Sequence, residues 1–531
     1  MRFSPRTFKI QWDLHAWSGV GASVLLFVIF YCGVFALFQE AFSRWQAPAT
    51  APPTFISEPS RVSYDRVLSH VERELTVPRG ATIMLRLPSG PSIEPGVSTV
   101  SVYHEPSGLQ RDFPVDRVTG EPATQSSEHS RLAEELYALH FFYQLPWGVE
   151  LSGLVAVALF VALVSGVVIH WKDLIRQAWQ FRSHLRLRVS SSDAHKVLGV
   201  FGLPFATMFA WSGAVLGMGA ILSVPLQYIA YGGDLQAFDA ARGYRPSPLV
   251  ESGRPGPRLA LDEIVAKGVV AANSHFAAAA PLHPERLDIE LYADEGARFA
   301  LSFTSRGFEA QPGVVLDRNG HVMHWSGDTS APTESIDRVL FDLHFARFGG
   351  YLVKAFYALL SLGVCAVVVT GNLVWLARRD PGLAHAGNRI LSKLTVGGCL
   401  GLVLSSAVYF VCNRLLPASL AQRADVEFRV FMVAWVCCIA VVFVGGSARA
   451  WARALCVAAA LGFMGVVLSD AALRWAQIEA AFTGGSAPML AAELVLLGLA
   501  SICIGLARAA RAQQHQPERA ATSKLAARVS S

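Results

Sequence analysis

The chain has 531 residues, of which 53% are hydrophobic and only 16% charged, a balance that excludes a soluble globular protein and marks a polytopic membrane protein. The formal net charge of +5 points to membrane topology and not to nucleic acid, because no aromatic–basic nucleic-acid module accompanies it.

A membrane-spanning helix needs roughly 20 mostly apolar residues. Eight segments qualify, at about residues 14–38, 147–170, 196–222, 351–377, 393–413, 428–446, 452–470 and 488–508. The first is too long for the apolar part of a signal peptide and lacks a small-residue cleavage site, so it is expected to be a retained anchor. Basic residues then set the orientation. Arg2, Arg6 and Lys9 precede the first span. Lys172, Arg176, Arg182, Arg186 and Arg188 follow the second, and Arg378, Arg379 and Arg389 the fourth. Arg449 and Arg453 separate the sixth and seventh, and Arg508, Arg511 and Arg519 follow the eighth. With eight spans these segments share one side, and the excess of Lys and Arg makes it the cytoplasm, with both termini there.

The expected plan is a cytoplasmic N terminus and first helix (1–41), an outer module (42–138), helices two and three with a basic loop (139–222), and a second outer module (223–343). Helix four (344–380), four additional helices (390–508) and a cytoplasmic tail (509–531) complete it. Helix three carries Pro204, an interior breaker expected to kink it. All eight cysteines lie in or near apolar spans, so no disulfide is expected to staple the outer segments, and the Cys437–Cys438 pair reads as small apolar filler.

The first four spans are a duplication. "DLHAWSGVG" at the first span returns 180 residues later as "DAHKVLGVF". "YALHFF" (137–142) matches "FDLHFA" (341–346), and "ALVSGVVIHW" (162–171) resembles "VVVTGNLVWL" (367–376). A two-fold-like bundle follows, its axis along the membrane normal. The outer segments also match. Residues 61–75 have helical periodicity and strand-like stretches follow. "FPVDRVTGEP" (113–122) and "VVLDRNGHVMHW" (314–325) each read as strand, turn and strand, the second through Asn319-Gly320. Each segment reads as a small α+β module, and residues 241–260, rich in Ala, Pro and Gly, as linker. The last four spans have no counterpart in the repeat, contain no histidine, and are expected to bury few charges, with Asp470 and Glu493 facing the membrane interface.

Of the fifteen histidines, five sit at span ends, and they sort by depth. His15 and His195 open helices one and three and His170 closes helix two, all at the cytoplasmic side. His140 and His344 precede helices two and four at the outer side. His140 and His170 would stand about 45 Å apart on a continuous helix, too far for one small site. Ionisable residues in membrane helices are costly and tend to be functional. Two symmetry-matched pairs at opposite faces suggest two bis-histidine sites. Zinc would want three or four ligands close together, and none accompanies the outer histidines locally. Haem b in a four-helix bundle fits better, held without covalent attachment because no C-x-x-C-H is present. "HVMH" (321–324) has metal-binding spacing but lies on an expected strand.

"LHAWSGVGASVLLFVIFYCGVFALF", "LHFFYQLPWGVELSGLVAVALFVALVSGVVIHWKD", "DAHKVLGVFGLPFATMFAWSGAVLG" and "LHFARFGGYLVKAFYALLSLGVCAVVVTGNLVWLARR" together resemble the PepSY-associated transmembrane helix family. "VDRVTGE" and "LDRNGH" resemble the Asp-x-x-Thr-Gly turn of PepSY modules. The resemblance spans about residues 10–380 and includes iron-regulated inner-membrane proteins and ferric-siderophore reductases of Gram-negative bacteria. It implies two PepSY-like periplasmic modules, two haem b groups between the helices, and electrons carried outward across the bacterial inner membrane to a ferric siderophore or other iron chelate. By position it implies His15 with His195 and His140 with His344 as axial ligands. His170, replaced by Trp375 in the second repeat, would be an alternative inner ligand or a propionate partner. Arg131, Tyr143, Arg347 and Tyr351 flank the outer histidines and are expected to steer an anionic chelate, to hold a propionate, or simply to anchor the chain at the lipid interface. No flavin or nucleotide fingerprint is visible, so a cytoplasmic or quinol electron donor is expected. The rival expectations are a permease for iron chelates and a non-enzymatic protein that binds an envelope protease.

Orientation is directly measurable. Fusion reporters near residues 100 and 300 are expected to read as periplasmic, and those at 185, 385 and the C terminus as cytoplasmic. A periplasmic C terminus would contradict the count of eight spans.

Overall fold

The computed structural model describes residues 4–46, 62–87, 97–116, 119–123, 130–182, 187–234, 237–238, 251–258, 260–276, 281–304, 311–327, 332–378, 386–475, 478–479 and 487–512. In chain order the elements are α1 (Pro5–Leu37), α2 (Gln39–Trp45), α3 (Tyr64–Glu74), β1 (Thr82–Leu85), β2 (Val97–His104), β3 (Leu109–Asp116), α4 (Leu132–Leu139), α5 (Gly148–His170), α6 (Leu174–Ala178), α7 (Leu187–Phe201) and α8 (Leu203–Tyr231). They continue with α9 (Leu261–Phe276), β4 (Pro284–Glu290), β5 (Arg298–Phe303), β6 (Gly313–Leu316), β7 (Val322–Ser326), α10 (Pro332–Phe345), α11 (Gly350–Ala377), α12 (Ala386–Leu394), α13 (Gly401–Leu415), α14 (Arg423–Val444), α15 (Ala448–Leu473) and α16 (Ala487–Ala512). A π-helical turn, Thr395–Leu400, joins α12 to α13. The chain forms two compact units, one of residues 1–50, 127–221 and 349–531, the other of residues 51–126 and 222–348.

The first unit is helical. Among the described residues eight helices are long and apolar enough to cross a membrane, in the order expected, and the chain is a multi-pass membrane protein. Helix α1 packs against α5 and α11, and α7 packs against α11. Helices α5 and α8 touch backbone to backbone, since a Cβ on Gly153 would come within 2.8 Å of the Gly217 carbonyl carbon. The break expected at Pro204 lies at Gly202, between α7 and α8. Pro204 is in the first turn of α8, where a missing N–H is harmless, and the proline inside that helix is Pro225.

The last four spans depart from expectation. Asp470 and Glu493 are buried, not interfacial, and so are Arg423, Glu427 and Arg474. Hydrocarbon offers no water to these groups, so they pair with one another. Arg414 binds Asp470 through two hydrogen bonds, 2.8 and 2.9 Å, and its guanidinium lies 3.4 Å from the centre of the Trp45 ring. The Trp45 indole donates to Glu493 at 2.8 Å, and its carbonyl accepts from Arg414 at 2.9 Å and Arg474 at 3.2 Å. Arg423 pairs with Glu427, which also accepts from Ser130. These charges fasten α2 and the start of α4 to the additional helices.

The second unit contains one antiparallel sheet of seven strands in the order β3-β2-β1-β4-β5-β6-β7. The two outer segments each supply a helix and a meander, as expected, but the meanders join into one sheet. Ile83, Met84 and Leu85 of β1 stand opposite Ile289, Asp288 and Leu287 of β4. That pairing covers an edge each meander would otherwise expose. Val67, Leu68 and Val71 of α3 and Ile264 and Val265 of α9 share one core with Ile83, Leu85, Leu287, Phe299, Leu301 and Val314. The helices also cap each other. Asp65 of α3 accepts from the N–H groups of Leu261 (2.8 Å) and Asp262 (3.1 Å), while Asp262 accepts from the Tyr64 N–H (2.7 Å) and the Ser63 hydroxyl (2.6 Å). Each first turn has its orphan N–H groups satisfied by the other helix's carboxylate.

The two Asp turns form as expected. Asp116 accepts from the N–H and hydroxyl of Thr119 at 2.8 and 3.0 Å, and Asp317 from the N–H groups of Asn319 and His321, both at 2.8 Å. Part of the expected linker is anchored instead. Ser252 and Gly253 donate to the buried carboxylate of Asp294, as does Gly296. Burial alone would raise the Asp294 pKa, but these donors outweigh it and bring it down to about 2. Residues 241–250 of that linker lie outside the described residues.

Removing one partner of the Arg414–Asp470 pair strands a charge in the bundle. Asp470→Ala is expected to cost about 3–5 kcal/mol, read as a lower Tm of the detergent-purified protein. The double variant Arg414→Met/Asp470→Leu is expected to recover most of the loss. Equal stability of the single variant and the wild type would contradict the buried network.

Candidate functional site

Three of the five singled-out histidines lie in the membrane unit with their rings fixed in the same way. His15 is hydrogen-bonded through Nδ1 to the Ala162 carbonyl of α5 at 2.7 Å, His140 to Ile29 of α1 at 2.7 Å, and His195 to Val367 of α11 at 2.9 Å. A carbonyl only accepts, so each Nδ1 carries a proton, and in the neutral ring Nε2 is left with its lone pair. Four residues beyond each acceptor, on the same helix face, stands a glycine. A Cβ on Gly166 would lie 3.0 Å from His15 Cε1, one on Gly33 3.2 Å from His140 Cε1, and one on Gly371 3.0 Å from His195 Cε1. Any larger residue would press on the ring.

The duplication is reproduced contact by contact. Ala162, Ser165, Gly166 and His170 of α5 correspond to Val367, Thr370, Gly371 and Trp375 of α11. Ser165 donates back to Val161 (2.5 Å) and Ala162 (3.1 Å), and Thr370 back to Ala366 (2.7 Å) and Val367 (3.1 Å). So α1 lays His15 on α5 as α7 lays His195 on α11.

These two histidines meet. Their ring centres are 6.0 Å apart, with an interplanar angle of 79°. Two imidazoles on opposite sides of one metal need about 2 Å per metal–nitrogen bond and about 1 Å from each nitrogen to its ring centre, roughly 6 Å in all. The donor chemistry, the spacing and the glycine cradles therefore fit a bis-imidazole site. His170 is not in this pair; it lies one turn beyond Gly166 on α5. Its counterpart Trp375 packs edge-on against Trp17, at 5.3 Å, and donates to Asn388 at 3.3 Å.

A half-open cleft next to His195 is lined by Arg182, Val189, Ser192, Asp193, Lys196, Val374 and Arg378. Arg182 grips Asp193 with hydrogen bonds of 2.8 and 3.0 Å and so holds its carboxyl below the usual carboxylate range. The Arg378 guanidinium lies 4.6 Å from the Trp12 ring centre.

His140 ends α4 and belongs to a different level of the bundle. Its acceptor Ile29 is 14 residues beyond His15 on α1, about 21 Å of helix rise. Two residues after it Phe142 has φ 55°, and two residues after His344 Ala346 has φ 51°, so the turn is repeated in spite of its strain. His344 lies in α10, in the second unit. Of the flanking residues, Arg131 is paired with Asp425 at 2.6 Å and Glu135 at 3.7 Å, and Tyr351 stacks on Phe38 at 6.2 Å. Tyr143 is exposed, and the Arg347 guanidinium lies 5.3 Å from the Phe345 ring centre. In "HVMH", His321 turns to its own Asp317 at 3.3 Å. Among the described residues no group of three or more His, Cys, Asp or Glu side chains is placed to hold a metal ion.

The carbonyl-and-glycine seats were not anticipated, although the small-residue pairs Ser165-Gly166 and Thr370-Gly371 mark two of them in the matched segments.

A family profile described as "PepSY-associated TM region" matches residues 12–378, more than half of the chain. An uncharacterized protein of Pseudomonas aeruginosa is 27% identical over 307 residues, covering 54% of this chain and 73% of that protein.

The glycine seats are testable with haemin as a bis-imidazole probe added to the purified protein. Gly371→Val and Gly166→Val are expected to weaken binding at the His15–His195 site by about 10- to 100-fold, as disturbed orientation of a metal-binding histidine does. Gly19→Val, where nothing lies within 4 Å, is expected to leave it unchanged. Unaltered binding in all three would mean that the glycines do not position the rings.

Proposed function

The chain belongs to the PepSY-associated TM family, and from that membership and its facing pair of membrane imidazoles we propose that it is a haem b electron-transfer protein of the bacterial inner membrane, which passes electrons outward to reduce ferric iron chelates. The single observation that supports this most is the His15–His195 geometry. These two residues would hold one haem through Nε2, and the haem when bound supplies one-electron transfer. The chain supplies the rest. The Ala162 and Val367 carbonyls fix the tautomer and make each ligating nitrogen more basic. Gly166 and Gly371 leave room for the Nδ1–Cε1 edge of each ring against the neighbouring helix. The surrounding apolar helices keep water away and tune the potential.

The outer site is proposed from the repeat. His344 corresponds to His140 as His195 corresponds to His15, and Phe209 and Gly213 stand 180 residues after Ile29 and Gly33. His170 is a neighbour of the inner site, not its axial ligand, in this reading. A quinol or a soluble cytoplasmic reductant is the donor. The substrate is a ferric siderophore or a similar chelate: one electron converts Fe(III) to Fe(II), which oxygen-donor chelators hold less tightly. Arg131, Tyr143, Arg347 and Tyr351 are the proposed contacts for that anion.

The reduced-minus-oxidised spectrum of the purified protein is expected to show low-spin haem b at about two haems per chain. His15→Ala and His195→Ala are expected to remove one haem, His140→Ala and His344→Ala the other, and His170→Ala neither. Ferric chelates are expected to reoxidise the reduced protein faster than air does, with Fe(II) appearing in a trap assay. A folded but colourless protein would overturn the reading, and indifference to ferric chelates would overturn the reductase assignment alone.

A further inference from the structure

The duplication breaks beside the histidine seats, and the additional helices meet the chain at that break. Just beyond the matched glycines Gly166 and Gly371, α5 has Val167 and His170 where α11 has Asn372 and Trp375. Both of these α11 residues reach toward the additional helices. Asn372 is buried and donates through Nδ2 to the Thr395 hydroxyl at 3.0 Å, and that hydroxyl donates to the Leu391 carbonyl at 2.7 Å. Trp375 donates to Asn388 of α12.

Thr395 opens the π-helical turn Thr395–Leu400, which touches both helices of the facing imidazoles. It binds Asn372 of α11, the helix that seats His195. It also lies against α1, the helix of His15, since a Cβ on Gly398 would come within 3.2 Å of the Val24 side chain. Helix α14 holds the turn in turn: a Cβ on Gly397 would stand 2.9 Å from the Ile439 Cα, and the Gly398 carbonyl accepts from the Trp435 indole at 2.8 Å. A π turn gives up the regular hydrogen-bond spacing of a helix, and such turns are frequent at functional sites.

The His195 ring is fixed to α11 by the Val367 carbonyl and the space at Gly371. A rotation of α11 about its own axis therefore turns that ring relative to His15. Apolar contacts between membrane helices specify such a rotation weakly, whereas an interhelical hydrogen bond is directional. Asn372, the residue after Gly371, supplies one at the level of the seat.

We infer that Asn372 is a positioning residue which, through Thr395 and the π turn, uses the additional helices to fix the orientation of the His195 imidazole relative to that of His15. The inference rests on the haem reading above.

The test is electron paramagnetic resonance of the oxidised full-length protein in detergent, which reports the angle between two axial imidazoles. Rings crossed at 79° are expected to give the His195-dependent haem a strongly anisotropic low-spin signal. Asn372→Val, which installs the residue of the first repeat, and Thr395→Val are each expected to move this signal toward the rhombic form of less crossed rings. The double variant is expected to go no further than either single one, because both remove the same link. Thr395→Ser is expected to keep the wild-type signal, and haem content and the His140-dependent signal to stay unchanged in every variant. One interhelical hydrogen bond contributes modestly to stability, so the variants are expected to fold; if Asn372→Val does not, Thr395→Val against Thr395→Ser decides with Asn372 in place. An unchanged signal in the valine variants, or an equal change at the other haem, would overturn the positioning role and leave the haem reading standing. A wild-type protein that takes up no haem would overturn that reading itself.

Discussion

An imidazole inside a membrane bundle must satisfy its N–H without water, and this constraint organises the helical unit. Each of the three seated rings gives its Nδ1 proton to a main-chain carbonyl of a neighbouring helix. Such a carbonyl already accepts within its own helix, so the ring must come close and off-axis to share it. That approach is possible only where the next turn carries no side chain, which is why a glycine stands four residues beyond every acceptor. One hydrogen bond thus fixes the tautomer, the helix spacing and the direction in which the free nitrogen points.

The same requirement explains the additional helices. They bury guanidinium and carboxylate groups that would be prohibitively costly alone, and they offset that cost by pairing them around Trp45. Trp45 ends α2, directly after α1. The pairs act less as a store of stability than as a lock on where the end of α2 sits, because a hydrophobic replacement could match their energy but not their directionality.

In the second unit the organising interaction is strand pairing. Each repeat makes only a short meander with an open edge, and β1 against β4 closes the two edges on each other. The exchange of caps between Asp65 and Asp262 couples the two helices at the same seam. Duplication has given two α+β segments that share one sheet and one core.

The features legible in the sequence were those encoded locally or by repetition. Spans follow from runs of about 20 apolar residues, the Asp turns from side chains that bind the backbone two to four residues ahead, and the internal duplication from matched strings such as "DLH" and "DAH". The five histidines could be named and sorted by depth for the same reason. Tertiary structure alone decided which of them meet. His15 and His170 both lie at one end of the bundle, and only the packing of α1 on α5 and α7 on α11 brings His15, and not His170, against His195. It also decided that Asp470 and Glu493 are buried, since a carboxylate near a helix end reads the same whether water or an arginine of another helix faces it. Helix neighbours far apart in the chain are set by the summed packing of many side chains, and no short segment carries that information.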